Sequence, residues 1–195
     1  MLDTGDTAPA FTAPMATPEH AVDVGGYTSD HVERFDLGEA LDAGPVVLAF
    51  FPGVFSRTCT RELCEVRDWH ADVAELGESG SGDDADDGAA PGVYGVSADT
   101  PWSQLAFIEE YDLSYPLLSG FNSDLIVDYD LRRESGLLQG IAERAVYVVA
   151  PDHAVTYAWR AEEPLTFPDL DAVREAMEAA GTGEADGVGA DGAGA

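Results

Sequence analysis

Hydrophobic residues along this chain follow two rhythms that alternate. "GPVVLAFFPG" (44–53) is an unbroken apolar run closed at both ends by Gly and Pro, which predicts a strand buried on both faces. From Ser56 the spacing changes to three and four residues: Leu63, Val66, Trp69 or His70, Val73 and Leu76 share a stripe, predicting a helix that ends at Gly77. "GVYGVSA" reads as the next buried strand. "TPWSQLAFIEEY" follows as a helix, with Thr100 as N-cap, Pro101 in the first helical position, and an apolar face of Trp102, Leu105 and Ile108. "YPLLS" gives a short extended piece and "SDLIVDYDL" a helical turn. "RAVYVVAP" and "AVTYAWR" read as a hairpin turning at Asp152, and "PDLDAVREAMEAAG" as an amphipathic helix carrying Leu170, Val173 and Met177. Ahead of all these, "APAFTAP" predicts an extended strand and "VERFDLGEAL" a strand running into a helical turn.

This order predicts an α/β protein: a central mixed sheet with helices on both faces, thioredoxin-like, with extra N-terminal strands. A chain of 195 residues suffices for one domain with a proper core, set here at residues 1–180. "GESGSGDDADDGAA" (77–90) predicts a solvated acidic loop inserted in that domain, and residues 181–195 a disordered, acidic, Gly-rich tail.

Charge changes the picture of the surface. The chain has 38 Asp and Glu against 9 basic residues, a formal net charge of −29, and all nine basic residues are arginine. Such a surface repels nucleic acid and anionic membranes, which excludes both as main partners. Its self-repulsion fades only when salt is high, since the Debye length falls to about 3 Å at about 1 M. The composition is that of a salt-adapted, halophilic protein. The acidic N-terminus "MLDTGDTAPAF" has neither the basic start nor the apolar core of a secretion signal, and no apolar run is long enough to cross a bilayer. The expected location is the cytoplasm, where cysteines are more often catalytic or redox-sensing than structural.

Both cysteines, Cys59 and Cys64, fall in "FFPGVFSRTCTRELCEVRD". Cys59 sits in or beside the first turn of the predicted helix, where orphan N–H groups and the helix dipole favour an anionic sulfur. Within residues 55–67, Arg57, Arg61 and Arg67 against Glu62 and Glu65 make a net +1 island, expected to act on the sulfur in the same direction. At 100° per residue Cys59 lies about 30° from the centre of the apolar stripe and Cys64 roughly 170° away, on the opposite side. An intact helix would hold their Cα atoms roughly 8–9 Å apart, whereas a disulfide reaches across about 7 Å at most. Joining them therefore requires the first turns to unwind, as a helix start can do at low cost.

"FFPGVFSRTCTREL" resembles the active-site segment of the peroxiredoxins, thiol peroxidases of the thioredoxin superfamily. Pro52, Ser56 and Cys59 match their Pro, Thr or Ser, and peroxidatic Cys. "GDTAPAF", "GVSADTPWSQLAFIEEYDLSYPLLSGFN" and "AERAVYVVAPD" extend the resemblance over roughly residues 3 to 178. A second Cys five residues after the first resembles the bacterioferritin-comigratory-protein (PrxQ) branch. The resemblance implies that Cys59 attacks a hydroperoxide and becomes a sulfenic acid. Arg144 would hold the sulfur and the peroxide oxygens, Ser56 would offer its hydroxyl, Pro52 would shield the pocket, and Glu62 would orient Arg144. Cys64 would resolve the sulfenic acid within the chain, and a thioredoxin-like dithiol would reduce the disulfide. No cofactor or metal is implied, and the chain is expected as a monomer or homodimer.

Arg132 and Arg133 compete with Arg144 for its role but lie in a polar stretch rather than at a strand start. The four histidines, His20, His31, His70 and His153, are scattered without metal-ligand spacing. Two other readings stay open. One is a one-cysteine peroxidase using an external thiol; the other is a non-catalytic thioredoxin-fold interaction module.

Overall fold

A computed structural model describes residues 1–22, 25–78, 92–163 and 166–182. The strands are β1 (Thr12–Ala16), β2 (Glu33–Asp36), β3 (Val46–Phe50), β4 (Gly92–Ser97), β5 (Leu117–Ser119), β6 (Ala145–Val149) and β7 (Val155–Arg160). Helices α1 (Leu37–Asp42), α2 (Arg57–Glu78), α3 (Pro101–Tyr111), α4 (Leu125–Asp128) and α5 (Leu170–Thr182) connect and flank them. The sheet runs β2-β1-β5-β4-β3-β6-β7. Strands β3, β4 and β5 are parallel, while β6, β7, β1 and β2 join antiparallel. The predicted mixed sheet and N-terminal strands are both present.

β3 explains why its sequence is an unbroken apolar run. Val46, Leu48 and Phe50 enter one core with Leu37 and Leu41 of α1 and Leu125 and Ile126 of α4. Val47 and Ala49, followed by Phe51, enter the opposite core beneath α2, α3 and α5. A strand clothed on both sides has no polar face to show. In the second core Gly95 of β4 is needed for close approach: a Cβ there would stand 2.5 Å from Leu117 and 3.7 Å from Leu63 of α2.

The helix starts follow the sequence. Thr100 caps α3 by accepting from the Ser103 N–H, with Pro101 in the first turn. Asp36 caps α1 through the N–H of Gly38. Trp102, however, does not join the buried face of α3. It is 48% exposed, whereas Gln104, Leu105, Phe107 and Ile108 are buried. The first-turn position of Trp102 places it over a surface groove beside β1 and β2 rather than over the core. α2 overruns its predicted end by one residue, to Glu78, and α5 extends to Thr182. The rest of the predicted acidic loop, the tail from 183, and the side chains of Val73 and Leu76 lie outside the described residues. No described helix is long and apolar enough to cross a membrane.

Candidate active site

The C-terminal end of β3 delivers the site. Phe51 continues the β3–β4 ladder by donating its N–H to Val96 O at 2.9 Å, and the chain then turns through 52–56 into α2. Asp99, just past β4, holds this turn. Its Oδ2 accepts the Val54 N–H at 2.9 Å and the Ser97 hydroxyl at 2.8 Å. Phe55 adopts a left-handed backbone (φ 59°), a conformation that costs a bulky residue roughly 1–3 kcal/mol. Its ring packs edge-on against Phe107 at 5.2 Å. Ser56 then opens α2, its carbonyl accepting the Thr60 N–H at 2.8 Å.

Cys59 is 1% exposed, deeper than the stripe-edge position expected from the helical wheel. The Ser56 hydroxyl donates to its Sγ at 3.2 Å, and Arg144 donates from Nη2 at 3.3 Å. Sheet register brings Arg144 there. Ala145, the first residue of β6, pairs with Phe50, the last of β3, so the residue before β6 meets the turn after β3. The Arg144 peptide is fixed as well, its carbonyl accepting from Ala161 at 3.0 Å. Arg144 Nε donates to Glu62 Oε2 at 2.5 Å, with the two side chains 5% and 6% exposed. Glu62 stands one turn after Cys59 on the same helix face. Burial pushes its carboxyl up to about 7 against the pull of the neighbouring guanidinium. The ring of Phe167 lies 5.8 Å from the Arg144 guanidinium and 5.1 Å from that of Arg61.

These groups meet at a cavity of about 430 Å³ whose lining includes Pro52, Ser56, Cys59, Arg144, Leu138 and Arg133. The groove beside Trp102 is slightly larger, about 480 Å³, but offers no thiol or other strong nucleophile. The smaller cavity, which holds the thiol, is the candidate site. Arg133 reaches its lining, yet Arg144 is the arginine bonded to sulfur. Two arginines of the expected positive island have partners of their own. Arg61 is paired with Glu65 at 2.8 Å, and Arg67 with Asp68 at 2.7 Å and the Tyr111 carbonyl at 2.7 Å.

Cys64 lies further along the intact helix, and both cysteines are free thiols. It is half-buried rather than turned fully to solvent, and burial pushes its thiol up despite the opposing pull of Arg67. Beside it the Tyr115 hydroxyl, fully buried, donates to the Leu63 carbonyl at 3.0 Å. The histidines are not all scattered. His20 and His31 meet edge to face at 6.4 Å, although among the described residues no group of three or more His, Cys, Asp or Glu could hold a metal ion.

The structure thus brings together Pro52, Ser56, Cys59, Glu62 and Arg144, and leaves Cys64 apart from them. Sequence reasoning missed Asp99 and Phe167. Asp99 lies in "SADTP", where it reads only as a turn residue before the Thr100 cap, and its partner is 45 residues back. Phe167 carries no local signal at all.

A family model described as Redoxin matches residues 3–174 of the chain. A protein from Mycobacterium tuberculosis named as a peroxiredoxin is 28% identical over 158 residues, covering 79% of this chain and 82% of that protein. One from Coxiella burnetii, named peroxiredoxin bcp, is 24% identical over 162 residues, covering 81% and 88%. Among solved structures, peroxidoxin BcpB from Mycobacterium tuberculosis superposes with a TM-score of 0.64 at 25% identity, over 92% of this chain and 97% of that one. AhpC from the same organism gives 0.70 at 19% identity, over 97% of each chain, a likeness of fold.

Proposed function

The chain belongs to the Redoxin family, and from that premise we propose that it is a peroxiredoxin that reduces hydrogen peroxide and organic hydroperoxides through Cys59 and Cys64. The observation that carries the proposal is the pair of donors on Cys59 Sγ, the Ser56 hydroxyl and the Arg144 guanidinium, at the wall of a cavity. Two donors converge on the atom that must act as the nucleophile, and the nucleophilic form of a thiol is its thiolate.

The geometry accounts for the first step. The thiolate attacks the terminal oxygen of the hydroperoxide, the O–O bond breaks, sulfur keeps OH as a sulfenic acid, and the alkoxide or hydroxide leaves with a proton from solvent. Negative charge moves from sulfur onto the two oxygens as this happens. Arg144 and Ser56 already point at the sulfur, so they can follow that charge without reorganising, which lowers the barrier. Glu62 fixes the guanidinium by its Nε and leaves Nη2 for the sulfur. Pro52 forms part of the cavity wall and Asp99 fixes the loop behind it.

In the second step Cys64 resolves the sulfenic acid. Both cysteines lie on one helix, so the start of α2 must open first. Opening also exposes Cys64 and removes the burial that raises its thiol, so the resolving nucleophile becomes active when it can reach its target. A thioredoxin-like dithiol then reduces the disulfide. The enzyme would work in a salt-rich cytoplasm, the setting that a lysine-free surface of net charge −29 fits.

Peroxide consumption in molar salt with a dithiol reductant tests the proposal. The intact chain should consume peroxide catalytically and Cys59→Ser should not. Equal rates for the two proteins would remove Cys59 from the reaction.

A further inference from the structure

The start of α2 has two opposed duties in this reading. It must hold Cys59 at the cavity while peroxide reacts, then unwind so that Cys64 can reach the oxidised sulfur. Phe167, half-buried in the segment between β7 and α5, touches both functions. One ring meets two guanidinium groups: Arg144, which donates to Cys59, and Arg61, two residues beyond Cys59 on the stretch that must unwind. Arg61 is also tied to Glu65 one turn on. A cation over an aromatic face is attracted by the ring quadrupole, and the contact is lost if either partner moves away.

We propose that Phe167 is a positioning residue with two effects: it clamps the guanidinium of Arg144 beside Cys59, and through Arg61 it latches the first turns of α2. It thereby sets the balance between oxidation of Cys59 and closure of the Cys59–Cys64 disulfide. The inference rests on the reading that Cys64 is the resolving residue.

The latch lies outside the bond-making. In the closing step the Cys64 thiolate attacks the Cys59 sulfenic sulfur, the S–S bond forms and the S–O bond breaks. Hydroxide leaves and takes up the proton that Cys64 lost, giving water; the oxidising equivalents are those the peroxide supplied. Arg61 must leave the Phe167 ring before the sulfurs can meet, because its own turn separates them. The contact therefore raises the barrier to unwinding without touching either sulfur. The Arg144 contact acts earlier, on the group that faces the reacting sulfur, so loss of the ring has opposite consequences for the two steps.

Phe167→Leu keeps apolar bulk and removes the ring face, while Arg61→Gln removes the latch together with the Glu65 ion pair and leaves the Arg144 contact in place; Glu65→Gln removes that ion pair alone and should leave closure near the wild-type rate. Reduced protein would be mixed with excess hydrogen peroxide in molar salt and quenched at intervals. Intact mass would then follow sulfenic acid and disulfide separately. Phe167→Leu should slow oxidation of Cys59 several-fold and speed disulfide closure about fivefold, the factor that loss of one exposed cation–π contact allows. Arg61→Gln should speed closure by a similar factor and leave the oxidation rate unchanged. General loosening of the fold would not give this separation. A wild-type chain that forms the disulfide, with both variants closing it at the wild-type rate, overturns the latch; an unchanged oxidation rate in Phe167→Leu overturns the clamp. A wild-type chain that gains oxygen at Cys59 and never joins Cys64 overturns the two-cysteine reading itself.

Discussion

The two cysteines share one helix and differ in almost everything else. Cys59 is buried where β3, β6 and α2 converge, and its sulfur is met by a hydroxyl from its own turn and a guanidinium 85 residues away. Cys64, about one and a half turns on, is half-buried, and its surroundings push its thiol up. One sulfur is met by contacts from its own turn and from a distant part of the chain. The other is withheld by the same helix that positions the first. Sequence spacing separates the two thiols, and tertiary contacts give them different surroundings, on which the proposed division of work rests.

That contrast is broken most severely at Arg144. Arg144→Gln should lower the rate of Cys59 oxidation by about 10²- to 10³-fold, the usual effect of removing one donor aimed at developing charge. Glu62 would then lose its buried cation. Such a loss costs ~3–5 kcal/mol when the charge remains, so the carboxyl should take up a proton instead. Stopped-flow measurement of the first turnover checks the rate, and denaturation in molar salt checks the stability.

A second test uses pH on the Cys59 side of the helix. Burial raises Glu62 from 4.5 to about 7, so between these values the folded chain holds a proton that the unfolded chain has released. The contribution of this group to stability is therefore fully present below 4.5 and falls as pH rises through about 7. Relative to Glu62→Gln, the wild-type protein should lose stability across that window. Its oxidation rate should also show an inflection near pH 7 that Glu62→Gln lacks. Identical pH profiles for the two would show that Glu62 does not titrate in this range.

A smaller effect than at Arg144 is expected at Ser56. Its hydroxyl gives one hydrogen bond to the Cys59 sulfur, and a hydrogen bond to a charged group contributes ~1.5–3 kcal/mol once the sulfur reacts as a thiolate. Ser56→Ala should slow oxidation by about 10- to 100-fold. The disulfide step should change little, because Cys64 does not use this group.

Much of this arrangement was legible in the sequence because it depends on local rules. The apolar run of β3, the first part of the α2 stripe (Leu63, Val66 and Trp69), the cap at Thr100 and the hairpin of β6 and β7 all follow from spacing and turn chemistry. Arg144 was reached through the family resemblance, not through a local rule; the register of β3 and β6 explains why a residue just before β6 meets the end of β3. Contacts between surface groups were harder to see. Arg61 and Arg67 looked like partners for Cys59 by proximity in sequence, but long flexible side chains on a helix find nearer carboxylates, here Glu65 and Asp68. Trp102 matched the period of a buried face, yet the first turn of α3 lies beyond the edge of the core. Asp99 and Phe167 act across the fold, and no local pattern encodes a contact that depends on where two distant loops come to rest.

The central claim is that the helix holds the two sulfurs apart and must open to join them. One equivalent of hydrogen peroxide added to the reduced chain in molar salt, followed by the mass of the intact chain and its cysteine peptide, tests it directly. The account predicts loss of two hydrogens within a single chain, with Cys59 and Cys64 joined. Gain of oxygen at Cys59 with Cys64 still free would contradict it.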